Sequence, residues 1–152
     1  MTLAKPPFGR DEIEAIIPHR PPFLLVDEIL ELEPGRHVRG RLTVPADGWW
    51  FPGHFPGRPV MPGVLTVEAI AQCGAVAVLA DEANRGKIPF FAGIDDCRFK
   101  RVVEPGDALD LECEFVRVRG PIAKGRGRAS VDGDPAVEAM LTVFVGSGEA
   151  AG

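Results

Sequence analysis

Two side chains in the sequence have the types and spacing needed for acid-base chemistry, His54 and Glu68. His54 lies in the loop 49–63, where four prolines and three glycines restrict the backbone and hold the imidazole on a stiff segment. Glu68 follows in an apolar stretch, where an ionised carboxylate is unfavourable unless it is paired or protonated. A histidine base with a carboxyl group as its proton-transfer partner suits the removal of a proton next to a carbonyl group.

The apolar stretch after this loop predicts one long helix. It runs from Val64 to a stop signal at Gly86, which is roughly twenty residues and about 30 Å. The predicted helix is itself apolar on nearly all of its faces, which is typical of a helix that is enclosed by other secondary-structure elements. A membrane span is the alternative, but Thr66, Glu68 and Gln72 interrupt the apolar run. We therefore expect a buried central helix and no membrane partner.

The start of the predicted helix adds a third element to this chemistry. At Pro62-Gly63, unpaired backbone N–H groups and the positive end of the helix dipole come beside the His54 loop. The amides of Gly63 and Val64 are therefore candidates to polarise a carbonyl oxygen. Gln72, one turn after Glu68, shares its helix face and is a candidate to orient the carboxyl group or to satisfy the core.

Each of these residues also has a structural alternative. His54 could be a satisfied loop histidine, although its position ahead of a helix start and a buried carboxylate favours catalysis. Glu68 could form an ion pair with an arginine such as Arg58. His19 and His37 are expected to be structural or solvated. The histidines have no zinc-like spacing, so no metal site is predicted.

Length and composition fit one compact domain, with 152 residues, 45% hydrophobic and 26% charged. We expect a flexible tail at 1–9, a single domain at 10–146 and a flexible tail at 147–152. The formal net charge of −5 gives no overall attraction to nucleic acid or anionic membranes. The odd set of three cysteines indicates reduced core thiols. Without a positively charged start that leads into an apolar signal stretch, the chain is expected to be cytoplasmic.

The rest of the chain predicts strands and one short helix at 11–17. Strands are expected at residues 23–32, 38–44, 89–99, 109–118, 122–131 and 136–145. Period-two alternation of apolar and polar residues supports those at 38–44 and 109–118. The alternation changes phase near Phe115, as it does at a β-bulge. Asp132-Gly133 is typical of a tight hairpin turn between the last two strands.

A long motif combines these features, and it reads Gly53-His54-Phe55-Pro56-Gly57-x-Pro59-x-x-Pro62-Gly63-Val64-Leu65-x-x-Glu68-Ala69. It resembles the active-site signature of beta-hydroxyacyl-acyl carrier protein dehydratases of fatty acid synthesis. Two further segments, Ile17-Pro18-His19-Arg20 and Phe91-Ala92-Gly93-Ile94-Asp95, resemble the same family. The resemblance extends from about residue 13 to residue 145.

This resemblance implies an α+β hot-dog fold, in which an antiparallel sheet of about six strands wraps one long central helix. It implies dehydration of a (3R)-3-hydroxyacyl-[acyl-carrier-protein] to the trans-2-enoyl thioester. His54 would take the C2 proton, and Glu68, supplied across a dimer interface, would protonate the departing hydroxyl. The Gly63 N–H would hydrogen-bond the thioester carbonyl. The family also implies no metal or redox cofactor, a substrate on the phosphopantetheine arm of acyl carrier protein, and a homodimer assembled as a trimer of dimers.

Aromatic and basic residues extend the predicted site. Four aromatic residues are core by default but are candidates to line an acyl tunnel: Phe51, Phe55, Phe90 and Phe91. The chain has no tyrosine, whereas many relatives have one near the position of Phe90, so a tunnel gate here would lack a hydroxyl. Four basic residues are either solvated strand positions or a docking surface for the acidic carrier protein: Arg98, Lys100, Arg101 and Arg126.

Two other functions stay open at this stage. An acyl thioesterase on the same fold would use Glu68 to activate water or to attack the thioester carbonyl. A non-catalytic subunit that binds acyl carrier protein would keep the fold and leave its site idle. The presence of both His54 and Glu68 argues against the idle site.

Overall fold

The computed structural model describes residues 3–147, and within them the chain forms two α-helices, two short 3-10 helices and six strands. Helix α1 spans Arg10–Ile16 and helix α2 spans Gly63–Ala80. The strands are β1 (Glu28–Glu33), β2 (His37–Thr43), β3 (Ile88–Phe99), β4 (Ala108–Arg119), β5 (Ile122–Val131) and β6 (Asp134–Gly146). The predicted α+β fold, with six antiparallel strands and one long central helix, is confirmed.

The six strands form one antiparallel sheet in the order β1-β2-β4-β5-β6-β3. Strands β4, β5 and β6 follow one another as hairpins, whereas β3 precedes them in the chain and pairs with β6 at one edge. The face of the sheet toward α2 carries small residues where the helix comes closest. At Gly127 an added Cβ would clash with the side chain of Ile70, so glycine lets the helix approach the sheet.

Helix α2 is the centre of the core. Its length and mean hydropathy of 1.8 would by themselves allow it to cross a bilayer, but 78% of it is buried inside the fold. It packs against β2, β4, β5 and β6, and the side chains of Ile70, Cys73 and Leu79 are fully buried. Burial by the sheet explains why the helix is apolar on nearly all sides, as the sequence predicts.

The helix ends earlier than the predicted stop at Gly86. Asp81 leaves the helix with φ −65° and ψ 127°, and its carboxylate accepts a hydrogen bond of 3.2 Å from the Ala83 N–H. This interaction caps a separate 3-10 helix at Glu82–Asn84. A side chain that competes for backbone donors therefore ends the helix before its apolar pattern does.

Two local predictions about the hairpins are confirmed. The pairing of β4 with β5 shifts register between Phe115 and Arg117, which is the predicted bulge. Asp132 and Gly133 have φ values of +50° and +85° and form the turn between β5 and β6.

The first predicted strand is wrong at its start. We expected it to begin at Phe23, but β1 begins at Glu28. The Leu25 N–H donates to the side chain of Gln72 on α2 instead of to a neighbouring strand, at 2.7 Å. Helix α2 therefore holds the segment before β1 at Leu25, and this segment first bonds to the sheet at Asp27, whose N–H donates to the Arg41 carbonyl at 2.9 Å.

The predicted tails are described only in part. Phe8, inside the predicted N-terminal tail, exchanges two backbone hydrogen bonds of 3.0 and 2.9 Å with Ile29 along the outer edge of β1. Residues 148–152 of the predicted C-terminal tail lie outside the described residues. The domain boundaries at 10 and 146 stay predictions.

Candidate active site

Backbone hydrogen bonds hold the loop that carries His54. The His54 N–H donates to the Phe51 carbonyl at 3.1 Å, and the His54 carbonyl accepts from the Val60 N–H at 2.9 Å. The imidazole Nδ1 lies 2.8 Å from the Val60 carbonyl oxygen. A carbonyl only accepts, so Nδ1 carries the hydrogen, and in the neutral ring Nε2 keeps its lone pair. The loop therefore presents His54 in the tautomer that a base at Nε2 requires.

His54 borders a pocket of about 390 Å³ at the start of α2. Gly63 and Thr66 from the helix line one side, and Phe99 at the end of β3 lines another. The pocket's outer wall includes Lys100 and Arg101. This pocket has the size and mixed lining of a small-molecule site.

The first residue of α2 lies close to this pocket. The Leu65 and Thr66 N–H groups donate to the Pro62 carbonyl at 2.9 and 3.3 Å, and helix geometry leaves the amides of Gly63 and Val64 without an intrahelical acceptor. An added Cβ at Gly63 would lie 2.6 Å from ring carbons of Phe99. Glycine is therefore needed here, because any larger residue would displace the Phe99 ring. The Val64 side chain is 71% exposed.

Glu68 belongs to a second polar group on α2. Gln72 Nε2 donates to Glu68 Oε2 at 2.9 Å and to the Phe23 carbonyl at 2.8 Å. Burial raises the pKa of the Glu68 carboxyl group, and the hydrogen bond from Gln72 opposes that rise. The predicted alternative, an ion pair with Arg58, does not form within the described residues, since Arg58 pairs with Glu104 at 3.0 Å.

His19 lies beside Glu68, a position that the sequence interpretation missed. Its Nε2 is 3.8 Å from Glu68 Oε2, and its side chain is mostly buried. Burial, followed by the nearby Arg20 guanidinium, lowers the pKa of the imidazole. The available signal was its place in the Ile17-Pro18-His19-Arg20 segment, but 49 residues of chain separate it from Glu68 and no local periodicity links the two.

In a single chain the structure does not bring His54 and Glu68 into one pocket. Glu68 borders a separate cavity of about 30 Å³, together with His19, Gln72 and the first aromatic residues of β3. At 3.6 residues per turn, Gly63 and Glu68 point in directions roughly 140° apart around the helix axis. The chain therefore presents two candidate half-sites, one with His54 and one with Glu68.

The domain model for the FabA-like domain matches residues 17–140 of this chain. The chain belongs to the FabA-like family. Its curated relatives include "3-hydroxyacyl-[acyl-carrier-protein] dehydratase FabZ" from Bacillus thuringiensis (strain Al Hakam) and from Bacillus mycoides (strain KBAB4). Each is 59% identical over 136 residues, which cover 90% of this chain and 94% of the relative. The predicted resemblance to hydroxyacyl dehydratases is confirmed.

Solved structures show the fold of the FabA-like family at lower identity. The dehydratase heterocomplex ApeI:P from Xenorhabdus doucetiae has a TM-score of 0.75 at 20% identity, over 88% of this chain and 90% of that chain. A hypothetical thioesterase with coenzyme A from Streptococcus pneumoniae TIGR4 has a TM-score of 0.61 at 15% identity, over 78% and 84%. At these identities the likeness establishes the hot-dog fold alone.

The four aromatic residues predicted to line an acyl tunnel lie in two separate regions of the structure. Phe90 and Phe91 are exposed at the start of β3 and border the Glu68 cavity. Phe51 is buried against Trp50, and the ring of Phe55 stacks on His54 with centroids 4.0 Å apart. Phe51 and Phe55 line another groove of about 410 Å³. The tunnel lining stays a prediction.

Of the four residues predicted to dock the carrier protein, two line the His54 pocket and two do not. Lys100 and Arg101 border the His54 pocket and pair with Glu138 at 3.0 Å and Asp134 at 3.3 Å. Arg98 is exposed on β3, and Arg126 is exposed on β5. A carrier-protein surface stays a prediction, with Lys100 and Arg101 as the two members that line the His54 pocket. No group of three His, Cys, Asp or Glu side chains among residues 3–147 is arranged to hold a metal ion.

Proposed function

We propose that the protein dehydrates (3R)-3-hydroxyacyl-[acyl-carrier-protein] to the trans-2-enoyl thioester in fatty acid biosynthesis. The observation that carries this proposal is the 59% identity to FabZ dehydratases over 90% of the chain. The two half-sites support it, because they supply a base, an acid and a backbone donor. The reaction draws on these groups without a metal or redox cofactor, and its substrate is carried on the phosphopantetheine arm. The proposed setting is the cytoplasm.

The first step uses the groups at the start of α2. The lone pair on His54 Nε2 removes the proton from C2, and the electrons of the broken C–H bond move toward the thioester carbonyl oxygen. The Gly63 N–H donates to that oxygen as its negative charge grows. The hydrogen bond between Nδ1 and the Val60 carbonyl keeps the imidazole in place and stabilises the imidazolium that forms.

The second step uses the carboxyl group. The electrons return to form the C2–C3 double bond, the C3–O bond breaks, and the departing oxygen takes the proton of Glu68 to leave as water. Because burial raises the pKa of Glu68, the fraction of this group in the protonated, donating form is larger than in water. Proton loss from His54 and proton uptake by Glu68 then restore the site.

We infer that a second copy of the chain joins the half-sites. The outer edge of β3 pairs with no strand in the part of the chain that the structure describes. This edge strand carries four exposed large apolar side chains, Phe90, Phe91, Ile94 and Phe99. Long apolar edge strands favour pairing with another chain. A homodimer through β3, assembled further as a trimer of dimers as in the resemblance, would bring Glu68 of one copy to His54 of the other.

Mass-spectrometric turnover of 3-hydroxybutyryl-acyl carrier protein tests the reaction. Wild type should release one water, and it should add water back to the enoyl product. His54→Ala and Glu68→Gln should each lower the rate by about 10²–10⁴-fold, since each removes a proton-transfer group. Release of the free acid would instead indicate a thioesterase, and an unchanged thioester with a folded protein would indicate a binding subunit.

Mixing the two inactive variants tests the shared site. A mixed dimer of His54→Ala and Glu68→Gln chains would contain one site with both groups intact and one site with neither. We expect activity to return in verified mixed dimers. Mixed dimers without activity would contradict a site built from two chains.

A further inference from the structure

The small cavity beside Glu68 has room for a single oxygen atom between two polar groups. His19 Nε2 and Glu68 Oε2 are 3.8 Å apart, which is too far for a direct hydrogen bond. An oxygen placed between them could lie about 2.8 Å from both. The cavity volume is about 30 Å³, and a water requires about 10–15 Å³ measured in this way. The cavity is therefore suited to a hydroxyl group or to one water.

His19 is the group in this cavity with a donor to offer. Its Nδ1 is buried and has no hydrogen-bond partner among residues 3–147. A buried N–H without an acceptor is less favourable than a lone pair without a donor, so Nδ1 holds the lone pair and Nε2 carries the hydrogen. Both amide hydrogens of Gln72 are already used, by Phe23 and Glu68. The Nε2–H of His19 therefore points at the place where the oxygen would lie.

Arg20 fixes the backbone that carries this imidazole. Its guanidinium donates to the carbonyls of Ile17 and His19 at 2.9 and 2.7 Å and to the Glu14 carbonyl at 2.9 Å. Its Nε pairs with the Glu14 carboxylate at 3.2 Å. These contacts direct the arginine's donors toward the backbone and leave the imidazole as the group that faces Glu68.

We propose that His19 binds the leaving oxygen of the substrate, donating from Nε2 to the 3-hydroxyl while Glu68 supplies the proton. When the C3–O bond breaks, its electron pair goes to this oxygen, Glu68 protonates it, and His19 keeps its own proton. The product water then occupies the cavity. This assignment rests on the proposed dehydration. It adds His19 to His54 and Glu68 as a third side chain of the site, and the role of His19 is to recognise the 3-hydroxyl group, which other thioesters lack.

Kinetics of His19→Ala and His19→Gln, with His37→Ala as the matched control, test the assignment. His37 pairs with Glu112 at 2.9 Å on β2 and β4 and contributes nothing to either half-site. We expect kcat for 3-hydroxybutyryl-acyl carrier protein to fall about tenfold in His19→Ala, as for the loss of one hydrogen bond. His19→Gln should recover part of the loss, because its amide N–H reaches the region of Nε2. Binding of the enoyl product, which lacks the hydroxyl, should stay within twofold of wild type.

The outcomes separate this assignment from the proposed reaction. A wild type that releases no water would contradict the dehydration itself. A wild type that dehydrates, with His19→Ala equal to His37→Ala, would overturn the role of His19 alone. Equal loss of affinity for the hydroxyacyl and enoyl thioesters would also overturn it, because that pattern indicates general damage to the fold. If His19→Ala does not fold, the same comparison in His19→Gln decides.

Discussion

The two half-sites on helix α2 are built in different ways. The His54 half is an open pocket of about 390 Å³, and backbone hydrogen bonds of a proline-rich loop fix its functional group. The Glu68 half is a cavity of about 30 Å³, and the buried Gln72 side chain, which is bonded to the backbone of Phe23 and Leu25, fixes its functional group. A base must meet a substrate that enters from outside, whereas an acid of raised pKa must be kept from water. The difference fits the two roles that we propose for His54 and Glu68.

The geometry of α2 also supports the proposal of a site shared between two chains. Gly63 and Thr66 lie three residues apart and share the helix face toward His54, whereas Glu68, Ala71 and Gln72 share another. A rigid helix cannot turn both faces toward the same pocket. Two copies related by a two-fold axis can place one face of each helix against the other face of its partner. Disruption of the contact between the two copies should therefore have the largest effect, and changes within either half should have smaller ones.

The largest effect is expected from a charge on the open edge of β3. Ile94→Glu would bury a carboxylate in the proposed dimer contact at a cost of about 3 kcal/mol or more, which is over a hundredfold in dimer affinity. We expect monomers and loss of activity at micromolar concentration, measured by analytical ultracentrifugation and turnover. Val118→Glu is the matched control, because Ile94 and Val118 are both 49% exposed but Val118 lies on β4, which β5 and β6 separate from β3. Equal dimer affinity in the two variants would contradict an interface at β3.

The next effect is confined to the His54 half. Gly63→Ala would push its methyl group into the Phe99 ring and displace the backbone donor from the thioester oxygen, so we expect kcat to fall about a hundredfold. Phe99 is exposed and lies outside the core, so the melting temperature should change little. Gly53→Ala is the control, since an added Cβ there meets nothing within 4 Å. Similar losses in both variants would indicate that loop rigidity, and not the Gly63 donor, limits the rate.

A smaller and different change is expected in the Glu68 half. Gln72→Leu removes the hydrogen bond that favours the charged carboxylate, so the pKa of Glu68 should rise further. The proposed mechanism requires protonated Glu68, and the basic limb of the kcat profile should therefore move to higher pH. The Leu25 N–H also loses its acceptor, which should lower the free energy of unfolding by about 1–3 kcal/mol. A basic limb that stays in place or moves to lower pH would show that Glu68 is not the acid.

The features that the sequence predicts well are those with a local signal. Asp132-Gly133 requires positive φ values, and the phase change at Phe115 marks an extra residue in one strand, so the hairpin and the bulge are both readable from a few neighbouring residues. The His54 loop and the start of α2 follow in the same way from prolines and glycines. These elements position His54 and Glu68 along the chain, whereas their catalytic roles stay predictions.

The features that the sequence does not predict depend on contacts between distant segments. The false strand start at Phe23 arises because Gln72, far along the chain, takes the Leu25 N–H. The position of His19 beside Glu68 has the same origin, since α2 packs against the segment before β1. Alternation and capping describe one segment at a time, and neither contains information on which segment a buried amide will bind.

The smallest expected effect distinguishes a core position from a functional one within the His54 half. Thr66 borders the pocket but is fully buried, and its hydroxyl has no hydrogen-bond partner among residues 3–147. Thr66→Val keeps the shape and the helix propensity and removes that hydroxyl, so the free energy of unfolding in urea should rise by about 1 kcal/mol. The kcat should stay within twofold, whereas Gly63→Ala, one turn earlier on the same face, should lose most activity. A large loss of kcat in Thr66→Val would instead mean that its hydroxyl turns toward the substrate during turnover, and the His54 half would then contain a second donor.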